Sequence, residues 1–62
     1  MKYKKLIQAL VAEGWYLKRQ GGSHEIWSNG HLTTAVPRHK EINEMTAKKI
    51  IEFAKAHRRE GD

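Results

Sequence analysis

Sixty-two residues, 7.2 kDa and no cysteine allow one small domain with a thin core, and neither disulfides nor thiolate zinc ligands to staple it. Twelve Lys and Arg against seven Asp and Glu give a formal charge of +5 and a pI near 9.8, so the expected counterpart is a polyanion; a hydrophobic share of 39% excludes a disordered chain. No apolar run approaches the ~18 residues that cross a bilayer and no signal-peptide pattern is present, so the expectation is a cytoplasmic domain over residues 1–62 without membrane contact.

The first element runs from about Lys2 to Glu13. Tyr3, Leu6, Ile7, Leu10 and Val11 recur at the spacing of one apolar helix face, with Lys4, Lys5, Gln8 and Glu13 opposite. Gly14 then stands where a helix terminator belongs.

From Trp15 to Val36 the pattern changes to short segments broken by turn residues. Trp15–Arg19 alternates as a strand does, Gln20-Gly21-Gly22-Ser23 reads as a turn, and His24–Ser28 as a second strand. Asn29-Gly30 is the strongest short hairpin signal, and Leu32–Val36 is the third strand, ended by Pro37. A two-residue turn at Asn29-Gly30 pairs Trp27 with Leu32, Glu25 with Thr34 and Ser23 with Val36. Trp27, Leu32 and Val36 then form the core set, and His24 falls on the opposite, solvent face with Ile26, Thr33 and Ala35. Ile26 conflicts with that assignment, and a bulge or a longer turn would change it.

The last element spans about Asn43 to Arg59, with Ala47, Ile50, Ile51 and Ala54 on its apolar face and Phe53 at the border. Asn43 and Thr46 are both candidate N-caps. The order is helix, three-stranded meander, helix. The economical packing is an α+β fold, α-β-β-β-α, with both helices on one face of a three-stranded antiparallel sheet and the other face open to solvent.

Three groups of residues can carry chemistry. Gly21-Gly22-Ser23-His24 places a histidine just after a turn whose glycines leave it unobstructed, and histidine both takes and gives protons near neutral pH. Taken alone, this is also what an ordinary hairpin with a surface histidine looks like. Ser23 is discounted as a nucleophile paired with His24, because neighbours in a strand point to opposite faces. Pro37-Arg38-His39-Lys40 offers successive cationic side chains at a rigid strand exit: a phosphate grip or a solvated loop. Trp15, Tyr16 and Trp27 interleave with Lys18 and Arg19. The two tryptophans read as core and Tyr16 as a position for stacking bases. His31 and His57 are expected at the surface, and no His or Cys spacing suits a structural metal.

Together, Glu13-Gly14-Trp15, Gly21-Gly22-Ser23-His24, Thr34-Ala35-Val36-Pro37-Arg38-His39 and Thr46 with Ile50-Ile51 and Ala54 resemble the HicA toxin family over nearly the whole chain. The resemblance implies a fold like the double-stranded RNA-binding domain and activity as an endoribonuclease on mRNA. It also implies neutralisation by a HicB-type antitoxin. The family's catalytic histidine falls on His24, with Gly22, Ser23 and His39 as secondary candidates. Lys18, Arg19, Arg38 and Lys40 are the expected phosphate contacts, Arg38 first. No metal or other cofactor is expected, because RNA carries its own nucleophile in the 2′-hydroxyl. Glu25 departs from the family pattern, which often has a second polar residue or histidine there. The competing readings are a non-catalytic RNA- or DNA-binding module of the same fold, and a basic surface that docks on an acidic protein.

Overall fold

The computed structural model describes residues 1–59 and has the expected order, with both helices on one face of an antiparallel sheet of order β1-β2-β3. Helix α1 (Tyr3–Ala12) forms because its apolar side chains share one stripe: Leu6 and Leu10 are fully buried, and Tyr3 and Ile7 pack beside them. Val11, expected on that stripe, lies at its edge and is 57% exposed. The helix ends where Glu13 and Gly14 turn their N–H groups onto Leu10 O and Val11 O, with Gly14 at φ +86°. A Cβ at Gly14 would stand 2.7 Å from Arg59 Cβ, so the position needs glycine for close approach as well as for its φ. Trp15 then drops into the core.

Helix α2 (Glu44–Ala56) is capped by Asn43, not Thr46. The Asn43 side chain accepts from Met45 N at 2.9 Å and Thr46 N at 3.3 Å. Its buried stripe is Ala47, Ile50 and Ala54, with Ile51 half-buried and Phe53 at the border. The last-turn carbonyl of Ala54 receives the Trp15 indole N–H at 3.2 Å, one of the groups a helix end leaves without a partner. Phe53 packs against the Trp15 ring at 5.7 Å.

The strands are β1 (Tyr16–Gly21), β2 (His24–Ser28) and β3 (Thr33–Pro37). Gln20 and Gly21 belong to β1, so the first turn shrinks to Gly22-Ser23. The second hairpin corrects the expected register. Ser28 pairs with Thr33, Trp27 with Thr34, Ile26 with Ala35, Glu25 with Val36 and His24 with Pro37, a slip of two residues. A slip of two keeps every side chain on its face, so Trp27 and Val36 remain core and His24 remains outside. Leu32 leaves the strand and is 40% exposed, which removes it from the expected core.

The reason lies in Asn29. A type I′ turn needs positive φ at both central residues, and Asn29 does not adopt it. Its buried side chain instead accepts from His31 N and Leu32 N at 2.8 and 2.7 Å and donates to His57 O at 2.7 Å, closing a four-residue loop onto the end of α2. Ile42 completes the core, held by an isolated bridge between Lys2 and Glu41 and by Ile42 N donating to Met1 O at 2.7 Å.

Candidate functional site

His24 opens β2 directly after the Gly22-Ser23 turn. Its cross-strand partners are Gly21 on one side and Pro37 on the other, so the imidazole has no long neighbour beside it and is exposed on the open sheet face. Ser23 Oγ lies 3.1 Å from His24 Nδ1. The expectation that Ser23 and His24 point apart fails because Ser23 belongs to the turn, where strand alternation does not apply. The contact engages Nδ1 and leaves Nε2 of this exposed ring with no hydrogen-bond partner among the described residues. A hydroxyl can donate to Nδ1 or accept from it. Ser23 therefore steadies the ring in either tautomer, with Nε2 free to act as acid or as base.

Arg19 joins this face through an irregularity in β1. Leu17 pairs with Trp27, but the register then shifts and Arg19 pairs with Ile26. A regular strand would set Arg19 on the face of Leu17, opposite Glu25. The bulge at Lys18 turns it to the face of Ile26 and His24. Arg19 thereby occupies the diagonal position beside His24, about 7–8 Å away by sheet geometry. Tyr16 is on the exposed edge strand with the Arg59 guanidinium 5.2 Å from its ring centre, so its stacking face is already partly taken.

The strand exit is sewn to the same end of the sheet, since Arg38 N donates to Ser23 O at 3.0 Å. Its side chains form a second group. Arg38, His39 and Lys40 line a cleft of about 260 Å³ together with Tyr3 and Glu25. Arg38 Nε stands 3.9 Å from Glu25 Oε2, so the guanidinium expected first on phosphate is steered toward the inner side of the strand. His39 makes no hydrogen bond to His24. Among the described residues, no three His, Asp or Glu side chains converge as a metal-binding set, and no helix is long and apolar enough to cross a membrane.

Glu25 is the residue whose importance the sequence reading underestimated. It is 5% exposed and accepts at Oε1 from the Tyr3 hydroxyl and from Trp27 Nε1 at 3.1 Å. The signal available in the sequence was its alternation with Trp27, which sets Glu25 on the core face of the strand, where a carboxyl group must have partners. Burial, reinforced by the hydrogen bond to Glu25, pushes the Tyr3 phenol up to about 12 from its ordinary value near 10. Between those values the folded chain keeps a proton that the unfolded chain has released, so stability falls as pH rises from about 10 to about 12. A Tyr16→Phe protein, left with Tyr3 as its one tyrosine, is expected to form phenolate near pH 12 when folded and near 10 in denaturant. Absorbance titration checks this, and one common midpoint would contradict it.

A family model described as the HicA toxin of bacterial toxin–antitoxin systems matches residues 3–56. The chain belongs to the HicA toxin family. The match takes in both helices, all three strands, the Gly-Gly-Ser-His turn and the strand exit. Membership implies a cognate antitoxin as partner for this HicA chain. No match was found among curated proteins or solved structures.

Proposed function

We propose that this HicA chain is an mRNA endoribonuclease that needs no metal, uses His24 as its proton carrier and is neutralised by a HicB-type antitoxin. The observation that carries the reading is the open His24 ring, steadied at Nδ1 by Ser23 and flanked by Gly21 and Pro37. The ribose 2′-oxygen attacks the adjacent phosphorus, and the bond from phosphorus to the 5′-oxygen breaks. The products are a 2′,3′-cyclic phosphate and a 5′-hydroxyl end. His24 Nε2 takes the proton from the 2′-hydroxyl or delivers one to the departing 5′-oxygen, and water carries the other proton. Arg19, on the same face, is placed to meet charge building on the phosphoryl oxygens. Lys18 and Lys40 extend the cationic path along the backbone, while the Arg38 guanidinium turns toward Glu25. Localisation follows from this reading: a toxin acting on mRNA works in the cytoplasm.

Incubation of the purified chain with a mixed-sequence RNA in excess chelator tests the reading. Discrete fragments ending in cyclic phosphate are expected. RNA that is bound but left whole would point instead to the non-catalytic binding module.

A further inference from the structure

The Tyr3–Glu25–Arg38 cleft has a feature the cleavage chemistry does not use. Glu25 Oε1 is fully engaged by Tyr3 and Trp27, whereas Oε2 accepts no hydrogen bond from any described residue. Its nearest cation, Arg38 Nε, is 3.9 Å away, beyond hydrogen-bond reach. No sealed side-chain oxygen lacks a partner in the described residues, so Oε2 is open to the cleft that Glu25 lines. A carboxyl oxygen on a residue 95% removed from water, with lone pairs turned into a cleft, is an acceptor awaiting a donor.

The neighbouring groups narrow what that donor can be. A phosphate would bring negative charge against the carboxylate. A nucleobase edge instead offers an N–H for Oε2 beside an acceptor for the Arg38 guanidinium. At about 260 Å³ the cleft is smaller than the ~300–1,000 Å³ of drug-sized sites and suits one base. His39 and Lys40, also lining it, are placed to hold the flanking phosphates. Because Arg38 N is bonded to Ser23 O, the cleft and His24 sit at one end of the sheet, on either side of the strand exit. An RNA strand held by a phosphate at His24 would reach the cleft by turning round the strand exit that this bond fixes.

Resting on the ribonuclease reading above, we infer that the Tyr3–Glu25–Arg38 cleft is a nucleobase subsite in which Glu25 Oε2 reads an N–H edge near the cut and sets the sequence preference of cleavage. The test is Glu25→Gln. Tyr3 and Trp27 are both donors and hold the glutamine oxygen toward themselves, so the amide NH₂ replaces the acceptor in the cleft.

Parent and variant act on one RNA pool randomised around a mapped cut, and the products are sequenced. The parent is expected to favour particular bases at one position, and the variant to change that preference by about tenfold while still cutting. An identical cut distribution, even at a uniformly lower rate, overturns the inference and leaves the ribonuclease reading intact. A parent that cuts no member of the pool overturns both. Should the variant fail to fold, the parent titrated with the four nucleosides and followed at the Trp27 indole N–H decides. One nucleoside binding about tenfold tighter than the weakest supports the subsite, and four equal or absent responses overturn it.

Discussion

A His24→Ala protein is expected to fold as the parent does and to cleave RNA about 10²–10⁴-fold more slowly, the range that removing a positioned proton carrier produces. The size of the effect follows from where the residue sits. His24 is exposed, its one side-chain hydrogen bond is to the adjacent Ser23, and its cross-strand partners are Gly21 and Pro37. Truncation therefore opens no cavity, and a stability change within about 0.5 kcal/mol is expected. RNA affinity should hold as well, because the cations at Lys18, Arg19, Arg38 and Lys40 are untouched. Single-turnover cleavage, with thermal melts and RNA binding as controls, checks all three. A variant that cuts as fast as the parent in chelator would remove His24 from the mechanism.

Trp15→Ala is expected to leave the isolated chain largely unfolded. Trp15 is 2% exposed, and its ring contacts Phe53. Its indole N–H covers the Ala54 carbonyl, which the end of α2 otherwise leaves without a donor. Truncating a buried tryptophan costs about 3–5 kcal/mol. A core in a chain this short rarely supplies more than roughly 3–5 kcal/mol in total, so loss and total are of one size. A Trp15→Phe protein keeps an aromatic ring against Phe53 but loses the N–H, and should fall between the two. A cognate antitoxin that binds only the folded chain should, at saturation, return Trp15→Ala to a folded state by mass action. Circular dichroism melts with and without antitoxin measure this. A cooperative melt of isolated Trp15→Ala at the parent's temperature would contradict it.

The helices and the core face of β2 were legible because periodicity is local: Leu6, Leu10, Ala47, Ile50 and Ala54 declare their faces by spacing alone. What stayed hidden depends on partners distant in sequence. Asn29-Gly30 carries a hairpin signal that its backbone does not follow, because the Asn29 amide is claimed by His57 O, 28 residues away. The bulge that turns Arg19 toward His24 comes from how β1 fits β2, and no residue type announces it. Ile42 stands between Glu41 and Asn43 with no periodic neighbours, and its burial follows from the bridge between Lys2 and Glu41 and its own bond to Met1 O. In the sequence Glu25 stands out only as a departure from the family pattern. The Tyr3 hydroxyl, 22 residues earlier, and Trp27 show it to be a partnered core carboxyl with one oxygen left for the cleft. The exposed position of His24 was legible because a glycine pair before a histidine is a local pattern, whereas the Ser23 contact that steadies the ring depends on where the turn stops and the strand begins.

The proposed cleavage takes its nucleophile from the RNA itself, the 2′-hydroxyl next to the broken bond. An RNA oligonucleotide with one 2′-deoxy sugar, placed on the 5′ side of the mapped cut, tests that directly. Cleavage at that bond is predicted to vanish while the all-ribose control is cut in the same tube. Cleavage that persists at the deoxy position would require a nucleophile from water or from the protein, and would contradict the account.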